Sequence, residues 1–327
     1  LLTPRHTFAA ICGKLNFVRT LITDSADEAA EVIRRGGLVA FPTETVYGLG
    51  ADVFNEDALR RIFEAKQRPP DNPLIIHIAD LSQIEELAES VNENAKKLID
   101  AFFPGPLTVV LKKRENISGL ATAGLETVGI RMPSFPIAHE FLIKCKTPVA
   151  APSANLSGRP SPTTWQAVLE DLDGRIDCIL RGDATEIGLE STVVDCSADE
   201  PVILRRGSIT LEQLRAVVPA IRNVAAADEL RRSPGTRHKH YAPRAIVILV
   251  DTPPEPRADA AFIGLSSPVE GWGFARFCGG VDEYAKEVFE FFRECDRRGI
   301  AKVYCQSVKT EGIGEALMDR LRRAAER

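Results

Sequence analysis

Leu38-Val39-Ala40-Phe41-Pro42-Thr43-Glu44-Thr45-Val46-Tyr47-Gly48-Leu49-Gly50 is the stretch on which the organisation of this chain turns. Its first four residues are all apolar and read as a short buried strand. A helix precedes it: Ser25 and Glu28 stand in capping-box spacing, Ala29, Val32 and Ile33 supply one apolar face, and Gly36-Gly37 ends the pattern. A doubly wound sheet that binds a dinucleotide carries G-x-G-x-x-G after its first strand. Here the strand runs into Pro42-Thr43-Glu44-Thr45 instead, which puts short polar side chains at its end. Gly48 and Gly50 follow, and glycines let a backbone approach a ligand closely.

Outward from this point, Asn55 caps a helix whose stripe of Leu59, Ile62 and Phe63 stops at Pro69-Pro70. Leu74 to Ala79 reads as a strand, with helical patterns around 82–90 and 93–103. Further strands are predicted over 107–113, 127–131, 148–151, 176–182, 192–196 and 202–205, and helices over 136–145, 163–172 and 210–217. Strands both alternate with helices and follow one another, which predicts an α/β chain with a mixed sheet. Regular periodicity stops around 219–244, where Ser233-Pro234-Gly235 and Tyr241-Ala242-Pro243 bracket a basic centre with two histidines, His238 and His240. Strands at 245–250, 260–265 and 301–306 and helices near 282–298 and 313–326 then make a small α/β unit. The expected division is 18–218, a linker over 219–244, and 245–327.

A length of 327 residues favours two domains and is ample for a core. The formal net charge of −5 excludes a chain that binds nucleic acid through overall basicity, so any RNA contact needs a local patch. The seven cysteines are odd in number, never spaced C-x-x-C, and several lie in apolar runs such as Ile176-Asp177-Cys178-Ile179-Leu180. That usage reads as reduced core cysteines of a cytoplasmic protein and argues against a structural zinc. No apolar run approaches the ~18 residues of a membrane span. The first twenty residues lack a secretory pattern, and the chain opens Leu-Leu, so residues 1–15 are left out of the expected fold.

Lys66-Gln67-Arg68 sets two cations on either side of one residue at a helix end, where the macrodipole alone favours positive charge. The continuation Pro69-Pro70-Asp71-Asn72-Pro73 stiffens the segment and fixes Arg68 relative to Asn72, and a rigid guanidinium suits bidentate phosphate contact. Pro152-Ser153-Ala154-Asn155 follows an apolar run and offers a hydroxyl and an amide for a sugar, a phosphate oxygen or a metal-bound water; a surface loop is its plainer reading. His77 alternates with Ile76 and Ile78, where packing explains a lone histidine equally well. Arg131 ends the strand Val128-Gly129-Ile130 and suits a carboxylate if it faces a pocket. Glu190-Ser191-Thr192 and Arg205-Arg206-Gly207 are weaker signals at strand ends. Together these pieces point to an enzyme that handles a nucleotide without a Walker loop.

In their order the motifs resemble those of the YrdC-type threonylcarbamoyl-AMP synthases. The resemblance runs from about residue 18 to 217 through FPTETVYGLG, KQRPPDNPLIIHI, FFPGPLTVVLK, TVGIRMP, AAPSANLSGRPSPT, GLESTVVD and ILRRG. SPGTRHKHYAP and the terminal GIGEALMDR extend it to the long, two-domain form. It implies an N-terminal YrdC-like open twisted mixed sheet with helices, followed by a small C-terminal Rossmann-like α/β domain, with the linker as a lid over the active site. The implied reaction makes L-threonylcarbamoyladenylate from L-threonine, bicarbonate or CO2, and ATP, with Mg2+, and releases pyrophosphate. The threonylcarbamoyl group then goes to tRNA through downstream transferase proteins; a direct tRNA contact is compatible with the reading but not established by it.

By the same resemblance Lys66, Arg68, Ser153 and Asn155 surround the ATP phosphates. Thr45, His77, Arg131, Ala151 and Ser191 line the threonine site, and Asn72, Thr127, Ser161, Arg205 and His238 lie near the nucleotide. No metal ligand is implied, the Mg2+ being held mainly by the ATP phosphates. The chain departs from the family in having Arg206 where many relatives have Pro, and Thr236 and His238 where Met and an aromatic residue are common. The alternatives are an RNA-binding module and a carbamoyltransferase-related nucleotide-binding protein. RNA binding would fall steeply with salt, and the carbamoyltransferases carry additional domains that this chain lacks.

Overall fold

A computed structural model describes residues 19–223, 241–267 and 269–326. The larger part opens with β1 (Leu21–Thr23), α1 (Ala26–Arg34), β2 (Val39–Phe41), β3 (Gly48–Asp52), α2 (Glu56–Lys66) and β4 (Ile75–His77). It continues with α3 (Ile84–Leu87), α4 (Glu93–Phe102), β5 (Leu107–Lys112), α5 (Gly119–Thr122), β6 (Thr127–Arg131), α6 (Pro136–Cys145) and β7 (Val149–Ala151). Next come α7 (Trp165–Leu172), β8 (Cys178–Leu180), β9 (Thr192–Asp195), β10 (Val202–Arg205) and α8 (Leu211–Val217). Ser25 and Asn55 cap α1 and α2 as their spacing predicts, accepting from the backbone N–H of Glu28 and Ala58.

The strands form one ten-stranded sheet in the order β1-β8-β2-β3-β7-β4-β6-β5-β9-β10. It is mixed, as the element order predicts: β4 and β6 run parallel, while β7 lies antiparallel to β4 and β3. Alternate residues of β2 serve opposite faces. Val39 and Phe41 pack with α1 and α6, and Ala40 joins the larger cluster that includes Leu59 and Ile62 of α2. Helices therefore cover both faces and the strands are buried throughout their middle.

Three strands escape sequence reading. β1 and a strand at Phe274–Phe277 in the C-terminal part are short edge strands, and β3 has two glycines in five residues, a composition that weakens a strand signal. A Cβ on Gly50 would lie 2.6 Å from Val149 Cγ1 and 3.0 Å from the Phe41 ring, so this glycine makes room inside the sheet rather than for a ligand. The helix expected over 82–90 shrinks to a 3-10 turn at Leu81–Gln83 followed by α3.

The C-terminal unit holds β11 (Ile246–Val250), β12 (Ala260–Gly264), β13 (Phe274–Phe277), α9 (Val281–Arg297), β14 (Lys302–Gln306) and α10 (Ile313–Ala325). Its four strands are all parallel in the order β11-β14-β12-β13. The six described cysteines are buried and unpaired. No helix among the described residues is long and apolar enough to cross a membrane.

Helices α9 and α10 lie against the larger sheet domain. Gly188, at φ +80°, approaches α9 so closely that a Cβ there would meet the Lys286 backbone at 2.5 Å. On the same helix the fully buried Arg293 donates to both oxygens of Asp171, at 3.2 and 2.9 Å, and to the Pro160 carbonyl at 2.6 Å. Asp171 also pairs with Arg159 and accepts from the Leu156 N–H. Removing one partner of such a pair leaves a buried charge, which costs about 3 kcal/mol even with Arg159 still present. Arg293→Ala should therefore lower the urea midpoint by a corresponding amount, and an unchanged midpoint would show that the contact contributes nothing.

Candidate active site

The ends of β4, β6 and β7 come together at one place, because parallel pairing sets His77 opposite Arg131 and antiparallel pairing sets Ala151 opposite Ile75. A cavity opens there. It is lined by Thr43, Thr45, Arg68, His77, Arg131, Ala151, Ser153, Asn155, Arg159, Ser161, Glu190, Ser191, Arg205 and Tyr241, with Val46, Gly48, Ile75 and Pro152 between them. Four arginines thus face one carboxylate among the described lining residues. Such a charge balance suits an anionic ligand.

Arg131, almost fully buried, sits 2.8 Å from Glu44 Oε1 through Nη2 and donates to Thr45 Oγ1 at 2.8 Å through Nη1. The contact with Glu44 is a charge pair whose angles fall short of a hydrogen bond, and both Glu44 oxygens lack a hydrogen-bond partner. Thr45 Oγ1 also lies 2.8 Å from Thr43 Oγ1. On the opposite wall Arg205 donates to the Ser191 carbonyl at 3.1 Å and to Ser191 Oγ at 3.0 Å, and that hydroxyl lies 2.8 Å from Thr108 Oγ1.

Arg68 Nη2 donates to the carbonyl oxygens of Asn72 and Pro73, at 3.2 and 3.3 Å, so the proline-rich segment does hold its guanidinium. Its Nε is buried without a hydrogen-bond partner. Burial lowers its pKa to about 10, and it stays charged at neutral pH. Ser153 Oγ donates to Asn155 Oδ1 at 2.6 Å, while Asn155 Nδ2 holds the carbonyls of Leu156 and Arg159.

Lys66 behaves differently from the expected clamp. Its Nζ donates to the backbone carbonyls of Ser153 and Asn155, the latter at 2.5 Å, and it is not among the residues lining the cavity. Burial first, and the Arg68 charge next, pull its pKa well below the ordinary range. Thr127 is not brought to the cavity either. It opens β6, four residues and so about 13 Å of strand from Arg131, and lines a separate depression with Glu89, Lys112 and Ser197. Asn72 is fully buried and reaches the site through its carbonyl contact with Arg68. His238 and the basic centre of the expected lid lie outside the described residues.

His77 is buried edge-on against Phe41 at 5.5 Å, with Nδ1 lacking a hydrogen-bond partner. Burial, assisted by the Arg131 charge, lowers its pKa from the ordinary 6.5 to about 3. The unfolded chain then binds a proton that the folded one refuses between those two values, so stability rises with pH through that window and is lost as acid is added. Urea midpoints between about pH 4 and 7 should climb less steeply for His77→Gln than for the parent chain. Parallel slopes would exclude a buried neutral His77.

Sequence reasoning missed Arg159 and the role of Glu190, and it set Tyr241 in the segment over the site without assigning it a contact. Their partners lie on α7, α9 and α10, and no local spacing reports them.

A mixed α/β sheet ending in an arginine-lined cavity, with a parallel α/β domain packed against it, defines a two-domain α/β protein with a site suited to an anion. The Sua5/YciO/YrdC family model, described as "Telomere recombination", matches residues 31–207, and the model "Threonylcarbamoyl-AMP synthase, C-terminal domain" matches 209–326. The chain belongs to the threonylcarbamoyl-AMP synthase family, in its two-domain form. It is 43% identical over 315 residues to the threonylcarbamoyl-AMP synthase of Pyrococcus abyssi, covering 91% of this chain and 93% of the relative. To that of Bacillus subtilis it is 42% identical over 318 residues, covering 91% and 92%. The crystal structure of P. abyssi Sua5 complexed with L-threonine superposes with a TM-score of 0.86 at 41% identity, covering 94% of this chain and 96% of the other.

Proposed function

We propose that this protein synthesises L-threonylcarbamoyladenylate from L-threonine, bicarbonate or CO2, and ATP, the first step of a tRNA threonylcarbamoyladenosine modification in the cytoplasm. The observation that carries this is one cavity that gathers Arg68, Arg131, Arg159 and Arg205 with His77, Ser153 and Ser191 in a chain of this family. Four guanidinium groups about one cavity offer the positive field that a polyphosphate needs. Residues 18–218 form the catalytic domain in this reading, 219–244 the connection, and 245–327 the C-terminal domain.

Threonine's amine captures CO2 as a carbamate, whose oxygen attacks the α-phosphorus of ATP and displaces pyrophosphate. An ionised carbamate is already a nucleophile, so no strong general base is required. Arg68, Ser153, Asn155, Ser161 and Arg205 are assigned to the nucleotide and its phosphates, where fixed cations and dipoles offset charge building on the leaving group. Lys66 is placed behind this set, fixing the Ser153–Asn155 loop from its backbone side. Thr45, His77, Arg131, Ala151 and Ser191 are assigned to threonine; for its carboxylate to meet Arg131, the ligand must share the guanidinium with Glu44 and Thr45. Thr127 is left out of the nucleotide site.

Mg2+ fits this donor set as an ion carried by ATP. The donors beside the phosphates are Ser153 and Asn155 oxygens, and the lining carboxylate Glu190 is already engaged by Ser161 and Arg320. When bound, it would neutralise phosphate charge. The proposed downstream partners are the proteins that transfer the threonylcarbamoyl group to tRNA.

Incubation with ATP, bicarbonate and labelled threonine tests the reading. Chromatography should show a threonylcarbamoyl adenylate formed in step with pyrophosphate. Pyrophosphate release that does not depend on threonine would overturn it.

A further inference from the structure

The terminal motif from Gly312 to Arg320 has no part in the reaction as assigned, yet its last residue reaches the cavity wall. Arg320, on α10, is 1% exposed. Its Nε donates to Glu190 Oε2 at 2.9 Å, its Nη2 to the Arg206 carbonyl at 2.9 Å, and its Nη1 to Asp319 Oδ2 at 2.6 Å. The same guanidinium lies 5.2 Å from the Tyr241 ring centroid, and that ring stacks on Phe289 of α9 at 5.4 Å. Glu190 uses its other oxygen to accept from Ser161 Oγ at 2.5 Å. Glu190, Ser161 and Tyr241 all line the cavity. The C-terminal domain therefore shapes one wall of a site otherwise built by the sheet domain.

Charge explains why this contact matters. A carboxylate in a cavity for a polyphosphate opposes its ligand unless a cation neutralises it, and the opposition is strong where water is excluded. Burial acts to raise the Glu190 pKa, but Arg320 and then Arg205 more than offset it, so the group is held ionised and below its ordinary range. In that state it fixes the Ser161 hydroxyl.

We propose that Arg320 is a positioning residue through which the C-terminal domain completes the catalytic cavity, neutralising Glu190 and so keeping the wall of Glu190, Ser161 and Tyr241 receptive to the polyanion of ATP. The inference rests on the proposed function for the identity of that anion.

Calorimetric titration of the full chain with Mg-ATP, and separately with L-threonine, tests it on three proteins: the parent, Arg320→Met, and the double variant Arg320→Met with Glu190→Gln. Arg320→Met should bind ATP about tenfold more weakly or worse, which corresponds to about 1.4 kcal/mol. Threonine, a zwitterion, should lose about threefold or less. The double variant, with no carboxylate left on the cavity wall and Asp319 still paired with Arg323, should return to within about threefold of the parent for ATP. A purely structural role would weaken both ligands together and would not be rescued by Glu190→Gln. Parent-like ATP binding by Arg320→Met overturns the inference, as does a double variant no better than the single. If Arg320→Met loses its cooperative melt, the double variant decides alone: near-parental ATP affinity supports the inference and a tenfold loss overturns it. The titration reads binding whether or not product forms, so a parent chain that binds ATP but makes no adenylate refutes the functional reading and still leaves this inference decided.

Discussion

Arg68→Ala should lower pyrophosphate release by about 10²-fold or more, the scale of a lost transition-state contact in a water-excluded site. The side chain is held by the Asn72 and Pro73 carbonyls and lines the cavity. Preorganisation of this kind removes the reorganisation cost at the moment charge leaves for pyrophosphate. Arg68→Lys keeps the charge but loses the planar fork, so it should recover only part of the rate. Threonine binding, measured by titration, should change much less in either variant. Near-normal pyrophosphate release by Arg68→Ala would remove Arg68 from the nucleotide site.

The second large effect concerns amino-acid choice. Valine, in which a methyl replaces the threonine hydroxyl, should be used on the order of 10⁴-fold less well in kcat/KM, because a site that hydrogen-bonds a hydroxyl is left with unpaired polar groups when it is absent. Serine keeps the hydroxyl and loses only a methyl, so its loss should be about 10- to 200-fold. Thr45 Oγ1 is already bound to Arg131 and Thr43, and Ser191 Oγ to Arg205 and Thr108, which leaves His77 Nδ1 as the buried atom without a partner. His77→Ala should accordingly narrow the threonine-to-valine ratio while lowering the rate with threonine. Equal rates with valine and threonine in the parent chain would show that these residues do not hold the hydroxyl.

The mixed sheet was legible because its signals are local. Capping side chains at Ser25 and Asn55, apolar stripes on α1 and α2, and unbroken apolar runs such as that into β2 each act within a few residues of chain. The approximate membership of the site was legible for the same reason, since Arg68, Ser153, Asn155, His77 and Arg131 each sit at the end of a recognisable element. β3 was not, because its glycines answer to Phe41 and Val149 across the sheet, and side-chain packing between strands leaves no trace in neighbouring residues.

The sequence by itself determined which elements form, that strands would pair in mixed directions, and which polar groups stand at strand and helix ends. The tertiary structure alone decided where those groups point. Lys66 and Arg68 are two residues apart, yet the turn at Gln67, at φ +51°, sends one ammonium behind the Ser153–Asn155 loop and leaves the other side chain at the cavity. Thr127 and Arg131 share one strand, yet strand length carries one of them away from the site. Glu190 meets Arg320 across 130 residues of chain. A buried charge must find its counter-ion wherever folding brings one, because leaving it unpaired costs more than any local propensity supplies, and that search is settled in three dimensions.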